Sequence, residues 1–335
     1  DYFKDLNDNI INYEKLGINS ISFLSENYPP QLLNIEDYPP ILFYKGNIKT
    51  LKVSSKLSII GARKADLEGN NLAFSFAKTF AKLNVAIVSG LAYGIDSAAH
   101  KGALASNKVN STIAILGNGL KSIYPKLHTR LSEEIIQQGG LILSQFEPDA
   151  KPLKHHFLNR NRLIASLSEV TLVIQANAKS GSLVTARYAN EFGKSVCAIP
   201  GSINSPLFSG CNKLIKNGAY LIEDENDLSE VLNVKLDVES NEKLDSTETN
   251  NDDKLLSLLK NKISLSFLEI NKAMSNEKDL LTRLLKLELE GKVIRLPGGD
   301  YGLNHLSLCN RFTLCRFTLS KPLTLGATLQ SSSFV

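Results

Sequence analysis

Residues 57–104 read LSIIGARKADLEGNNLAFSFAKTFAKLNVAIVSGLAYGIDSAAHKGAL, and this stretch decides the fold class. Leu57 to Ile60 and Val85 to Val88 are apolar runs of strand length, and each ends in a glycine-containing turn that opens a helical pattern. Strand, turn and helix in alternation predict an α/β fold, with a mostly parallel sheet and helices on both faces.

The two glycine turns, Gly61-Ala62-Arg63 and Ser89-Gly90, follow the carboxyl ends of predicted strands. Ligands of open parallel sheets bind at that edge. Glycine lets the backbone approach a ligand, and the start of a helix offers free N–H groups to an anion. The stretch therefore predicts a phosphate-binding edge that Arg63 faces. Neither turn is a complete GxGxxG, so ordinary structural turns with a surface arginine remain the alternative.

Similar patterns continue along the chain. We expect further strands at 111–116, 141–144, 170–175, 195–199 and 219–222, and helices at 129–138, 182–192, 208–217 and 225–232. Short helices are expected within 1–25, an extended edge piece at 41–45 and a loop at 145–158. The predicted domains are an amino-terminal segment at 1–50, a sheet domain at 51–232, a linker at 233–253, a small domain at 254–303 and an unassigned tail at 304–335.

Charge is distributed unevenly along the 335 residues. Residues 51–222 hold 20 Lys+Arg and 9 Asp+Glu, a net of 20 − 9 = +11. Residues 223–253 hold 2 Lys and 12 acids, a net of 2 − 12 = −10. A basic domain indicates a polyanionic partner, whereas the acidic segment is typical of a solvated linker.

Composition excludes several classes of protein. The four cysteines form no CxxC pair, and no His/Cys spacing suggests zinc, so we expect no metal and a reducing, cytoplasmic setting. No apolar run reaches membrane-spanning length, and no signal peptide is visible, so no membrane partner is expected. The only methionine is Met274, which is consistent with a chain trimmed at its amino end.

Residues 254–303 change character and predict a small winged helix. Three helical patterns precede a hairpin pattern around Gly298-Gly299-Asp300. The expected recognition helix carries Lys278, Arg283 and Lys286 among four acids. That balance is poor for DNA, so we favour a protein-interaction module.

A second informative stretch, KPLKHHFLNRNRLIASLS at 151–168, interleaves cations with an aromatic ring. Lys154, Arg160 and Arg162 would follow phosphates, and Phe157 would offer a face to an unstacked base. A solvated basic loop with Phe157 in the core is the competing interpretation. His155 and His156, if on a strand, would point to opposite faces, which argues against a metal site.

Other candidates for chemistry are weaker. Ser182 and Thr185 follow the fifth strand and could hold a phosphate or cap a helix. Asp96 and His100 stand four apart on a helix, which favours a local side-chain pair over acid–base catalysis. The sequence contains no nucleophile elbow, no Walker lysine and no paired carboxylates.

Six motifs resemble, in order, those of the DNA-processing protein A family, also called Smf. They are Gly61-Ala62-Arg63, SGLAYGIDSAAHKGAL at 89–104, TIAILGNGLKSIYPK at 112–126, FLNRNRLIASLS at 157–168, SGSLVTARYANEFGKSVCAIPG at 180–201 and SGCNKLIKNGA at 209–219. The resemblance implies an extended Rossmann-like domain, often followed by a winged helix.

The resemblance also implies a function and a site. It implies a homodimer without enzymatic activity or cofactor that binds single-stranded DNA and loads the RecA recombinase during natural transformation. The residues it assigns to DNA are a phosphate-gripping arginine, two lysines, a stacking ring and a backbone pocket: Arg63, Lys126, Lys154, Phe157, Ser89, Gly90 and Ser182. With the two arginines of the basic stretch, Arg160 and Arg162, they form the predicted DNA-binding set.

The chain departs from the family pattern in places. Ala62 replaces a hydroxyl residue, Leu158 replaces a proline and Gln175 replaces a glutamate that many members carry. None of these changes removes a cation. The alternative function is a nucleotide-binding hydrolase of a related fold, but such enzymes need a PGGxGT turn where this chain reads SGSLVT.

Overall fold

The computed structural model describes residues 13–236 and, beyond them, 255, 256, 258, 259, 265–274, 279–290, 292–295 and 299–303. The chain divides into two compact units, residues 1–238 and 239–335. The expectations for residues 1–12, for most of the acidic linker and for the tail at 304–335 lie outside the described residues.

Nine strands of the first unit form one sheet. They are β1 (Asn19–Ser22), β2 (Ile41–Gly46), β3 (Lys56–Ile60), β4 (Ala86–Ser89), β5 (Thr112–Leu116), β6 (Leu141–Ser144), β7 (Val170–Val173), β8 (Ser195–Ala198) and β9 (Tyr220–Leu221). Their order across the sheet is β1-β2-β6-β5-β4-β3-β7-β8-β9. Every pairing from β6 through β9 is parallel, and β2 is antiparallel to both β1 and β6.

Helices within residues 67–232 cover the two faces of this sheet. They are α1 (Leu67–Lys82), α2 (Ile95–Leu104), α3 (Thr129–Gln137), α4 (Lys154–Leu167), α5 (Ser182–Glu191), α6 (Ser209–Lys216) and α7 (Glu225–Leu232). Side chains of α1, α2 and α7 form one buried apolar cluster, and side chains of α4, α5 and α6 contribute to another. Because both faces are covered, the central strands are buried at every position. The predicted α/β architecture is confirmed.

The chain changes direction at β3, the central one of the seven parallel strands. It winds outward from β3 to β6, returns through α4, and adds β7 on the free side of β3. The connections after β3 and β7 therefore leave in opposite directions. This arrangement opens a crevice at the carboxyl ends of the strands, where doubly wound sheets bind ligands.

Three local predictions were wrong. Asn19–Ser22 is a strand, not part of a short helix, and its pairing makes β2 an inner strand where Ile41–Lys45 was expected at the edge. The loop expected at 145–158 ends early, because α4 begins at Lys154. His155 and His156 therefore lie on a helix, so the argument from strand geometry against a metal site does not apply to them.

The described part of the second unit contains α8 (Phe267–Ala273), α9 (Leu280–Leu289) and the antiparallel strands β10 (Val293–Arg295) and β11 (Tyr301–Leu303). Ser266 and Glu269 form a reciprocal capping box at the start of α8. A small core joins Leu255, Ile270, Leu284 and other apolar side chains. The winged helix stays a prediction. Of the helices described in either unit, none is both long and apolar enough to cross a bilayer.

Candidate nucleic-acid interface

The turn after β3 is held rigidly at the crevice. The Ala62 amide donates to the carbonyl of Gln175, beyond β7, at 2.7 Å. The buried Gln175 side chain donates from Nε2 to Oδ1 of Asp66 at 2.8 Å. Two backbone segments that follow adjacent strands are thereby fastened together, and the side chain of Arg63 is left exposed between them.

Phe157 lies against the end of β5. A Cβ added at Gly117 would come within 2.6 Å of Cδ1 of Phe157, so only glycine at that position lets the ring rest there. The ring is half-buried, with Cδ1 against the backbone of Gly117. Phe157 is the fourth residue of α4, and its position depends on where that helix begins.

Two further side chains frame the ring of Phe157. The guanidinium carbon of Arg63 lies 5.5 Å from the ring centroid. The ring of Tyr124 lies 5.5 Å away, centroid to centroid, and Tyr124 is 42% exposed. A cation beside a ring strengthens the stacking of planar groups, and exposed rings are what unstacked bases bind. Tyr124 was not among the predicted site residues, although it stands two positions before Lys126.

Lys126 and Lys154 are exposed and lie in segments that follow the carboxyl ends of β5 and β6. Within the described residues neither forms an ion pair, whereas nearby Lys121 is paired with Asp149 at 2.7 Å. Unpaired lysines are available to neutralise phosphates, which is the main source of affinity for nucleic acids. The structure thus places Arg63 against the ring of Phe157, with Lys154 about one turn before that ring on α4 and Lys126 two residues beyond Tyr124.

Arg160 is placed differently. It is only 4% exposed, and its Nη1 donates to the carbonyl of Gly90 at 2.7 Å and to that of Ile115. A Cβ at Gly90 would come within 2.4 Å of this nitrogen. Burial lowers the pKa of Arg160 to about 10, which leaves the guanidinium charged at neutral pH. Arg160 therefore fastens α4 to the ends of β4 and β5 and presents no charge to the crevice.

Asp96 occupies the backbone groups that were predicted to hold a phosphate. Its Oδ2 accepts from the amides of Gly90 at 3.1 Å and Ala92 at 3.3 Å. Burial raises the pKa of Asp96, while the charge of Arg160 opposes that rise. The start of α1 is similarly occupied, since Oδ1 of Asp66 accepts from the Gly69 amide at 2.8 Å. The turn after β4 and the start of α1, both predicted to bind an anion, are thus each occupied by a carboxylate of the protein.

The remaining predicted residues have mixed environments. Ser89 is buried, and its hydroxyl donates to the carbonyl of Ile59 at 2.7 Å. Arg162 donates to Oδ1 of Asp37 at 2.9 Å and to Oε1 of Gln145 at 2.9 Å. Their polar groups are thus bound inside the protein. Ser182, 9% exposed, shares a 2.7 Å hydrogen bond with Ser180 at the start of α5, where no side chain caps the helix.

Asp96 and His100 do not form the local pair expected from their spacing. Thr112 donates its hydroxyl to the carbonyl of Ile87 at 2.8 Å, so Nδ1 of the buried His100 donates to that hydroxyl at 2.7 Å. Burial lowers the pKa of His100 to about 3, which keeps the ring neutral at neutral pH. Among the described residues no His, Cys, Asp and Glu group is arranged to hold a metal.

Comparison with known proteins places these features in a family. The model of the family "DNA recombination-mediator protein A" matches residues 19–233. Protein Smf of Escherichia coli strain K12 is 39% identical over 282 residues, which are 82% of this chain and 75% of that protein. DNA processing protein DprA of Streptococcus pneumoniae strain R6 is 44% identical over 211 residues, 62% of this chain and 72% of the relative.

Solved structures agree with the sequence relatives. The X-ray structure of DprA from S. pneumoniae has a TM-score of 0.60 and 40% identity, covering 66% of this chain and 77% of the other. DNA processing protein A from Helicobacter pylori, studied for its single-stranded DNA binding mode, has a TM-score of 0.58 and 34% identity, covering 64% and 95%. The resemblance inferred from the six motifs is confirmed.

Proposed function

We propose, since the chain belongs to the DNA recombination-mediator protein A family, that it binds single-stranded DNA without sequence preference and passes it to a RecA-type recombinase. The observation that carries the proposal is the half-buried ring of Phe157, which lies beside Arg63 and Tyr124 and shares the first turn of α4 with Lys154, a lysine without an ion pair among the described residues. A ring that stacks on any base, with cations that follow the backbone, suits sequence-independent binding.

The proposed role is mediation, not catalysis. The two carboxylates nearest the crevice turns, Asp66 and Asp96, are bound to backbone amides, and His100 is buried and neutral. None of these groups is placed to activate water on a bound nucleotide. We further propose a homodimer, acting in natural transformation or recombination in the cytoplasm, as the resemblance implies.

The second unit is proposed to be a winged helix that contacts a protein partner. Truncation after Asp253 is then expected to leave the affinity for single-stranded DNA unchanged and to remove recruitment of that partner. Both are measurable with the same labelled strand, in the absence and presence of recombinase.

The direct test is fluorescence anisotropy with labelled oligo-thymidine and with the matching duplex, over a series of salt concentrations. We expect tighter binding to the single strand and a steep dependence on salt. Lys154→Ala removes one phosphate contact, so the slope of log affinity against log salt becomes shallower by about 0.7. The control is Lys108→Ala, an exposed lysine between α2 and β5 at the opposite edge of the sheet.

Two results would contradict the proposal. If the wild type does not prefer the single strand, the nucleotide-hydrolase alternative becomes the leading one. If Lys154→Ala and Lys108→Ala have equal effects, the affinity comes from general positive charge and not from the crevice.

A further inference from the structure

A second group of aromatic rings lies beside Phe157. The rings of Phe146 and His156 are stacked, with centroids 4.0 Å apart and planes inclined by 22°. The ring of His155 meets that of His156 nearly at right angles, with centroids 4.5 Å apart. Phe146 and His156 are half-buried, His155 is exposed, and none belongs to the apolar clusters of the core.

The two ring groups point to neighbouring strands. His156 and Phe157 are consecutive in the first turn of α4, so their side chains leave the helix about 100° apart. Phe157 is directed to the end of β5, at Gly117. His156 is directed to Phe146, which lies just beyond the end of β6. Because β5 and β6 are adjacent, the ring groups stand side by side along the carboxyl edge of the sheet.

The orientation of the second group is set by hydrogen bonds. Nδ1 of His156 lies 3.2 Å from the carbonyl of Lys151, so this nitrogen carries the proton and donates. The Phe146 amide donates to the hydroxyl of Ser144 at 3.1 Å. Lys151 and Lys154 flank the rings, are exposed, and form no ion pair within the described residues. Ordered rings among unpaired cations are the elements of a stacking site.

We infer that Phe146, His156 and His155 form a second base-stacking platform, so that the crevice holds two neighbouring bases of one strand. One base stacks on Phe157 and the next on the histidine platform, while the lysines neutralise the phosphates around them. This inference rests on the proposed function, since it assigns a further contact for the same single-stranded ligand.

The test compares two labelled strands by fluorescence anisotropy. The first is oligo-thymidine, and the second has the same length with every other nucleotide abasic, so that it offers no two neighbouring bases. On oligo-thymidine, His156→Ala is expected to weaken binding by about fivefold or more, because a lost stacking contact has at least that effect. On the alternating abasic strand His156→Ala is expected to bind like the wild type. The slope of log affinity against log salt concentration should be the same for His156→Ala as for the wild type on both strands.

Two further variants separate stacking from other effects. His156→Phe keeps a ring face and is expected to stay within about twofold of the wild type on oligo-thymidine. Tyr188→Ala removes a ring stacked on Phe192 at the far end of α5, away from the crevice, and is expected to leave both affinities unchanged. Thermal melting of each variant reports whether the fold is intact.

The outcomes are distinguishable. Wild-type protein that binds neither strand overturns the proposed function and this inference together. If the wild type binds oligo-thymidine and His156→Ala binds it with the same affinity, the inference alone is overturned. An equal loss on both strands also overturns it, because His156 would then act by supporting α4 and not by holding a second base.

Discussion

The first turn of α4 and the turns that follow it contain the same kinds of residue in opposite environments. Lys154 and Phe157 lie in the first turn, where the lysine forms no ion pair within the described residues and the half-buried ring lies beside Arg63 and Tyr124. Arg160 and Arg162, less than two turns later, donate to protein oxygens. The difference shows that hydrogen-bond and ion-pair partners inside the protein, not residue type, decide whether a cation is available to neutralise a phosphate. Under the proposed function, the first turn of the helix binds DNA and the later turns hold that first turn in position.

The largest expected effect comes from breaking the positioning part. Arg160→Met would remove the donor to the buried carbonyls of Gly90 and Ile115, and each buried group left unsatisfied costs about 1–3 kcal/mol of unfolding free energy. It would also remove the charge that most favours the ionised form of the buried Asp96. Urea unfolding measures this loss, and Arg162→Met is the control. Because Asp37 in the Arg162 pair is mostly exposed, its loss should cost about 1 kcal/mol or less.

A companion variant sharpens this result. Adding Asp96→Asn to Arg160→Met removes the unpaired charge and should recover part of the lost stability. If Arg160→Met instead unfolds like the wild type but flattens the salt dependence of DNA binding, Arg160 contacts phosphate and its positioning role is wrong.

The next effect concerns pH. His100 has a pKa of about 3 in the folded protein, below its ordinary value of 6.5. Below pH 6.5 the unfolded chain therefore binds more protons than the folded one, so stability is lost as the pH falls from 6.5 toward 3. Between pH 7.5 and pH 5.0 the loss from this group is about 2 kcal/mol. Urea unfolding at both pH values measures it. His100→Gln should show a smaller loss, and equal losses would exclude His100 as the cause.

The smallest effect comes from the binding part. Phe157→Leu keeps an apolar group against Gly117 but removes the ring face, so single-stranded DNA binding should weaken by about 1 kcal/mol, near fivefold. The loss should be the same at every salt concentration, since no charge is removed. Unfolding free energy should change by less than about 1.5 kcal/mol. Unchanged DNA affinity would mean that the ring only packs on Gly117.

The sequence predicted the architecture because its signals there are strong and local. Apolar runs before glycine turns indicate strands of a covered parallel sheet, and β6 was placed at the residues where it occurs. The start of α4 gave no such signal. Leu153 precedes it without capping, and its first turn carries a lysine and two histidines where acids are preferred. Tertiary packing of its later turns holds this helix.

The predicted site was less complete because burial depends on distant partners. Arg160 reads as one more cation of a basic stretch, yet its acceptors are Gly90 and Ile115. Nothing near position 160 indicates those contacts. Phe146 did give a weak signal, since it is an aromatic residue just past the carboxyl end of a predicted strand. That signal was overlooked. The strand β1 was missed because NSIS has little apolar pattern and forms by pairing with β2.

The position of β3 has a consequence for how the protein acquires its activity. This strand pairs with β4 on one side and with β7 on the other, so its neighbours come from residues 86–89 and 170–173. The turn that carries Arg63 is bonded to Gln175 beyond β7, and Phe157 rests on Gly117 beyond β5, so the crevice draws on both sides of β3. A nascent chain that ends before β7 lacks a complete crevice, even if its helices have already formed. During refolding, DNA affinity should therefore appear later than helical signal, since contacts between distant segments form slowly.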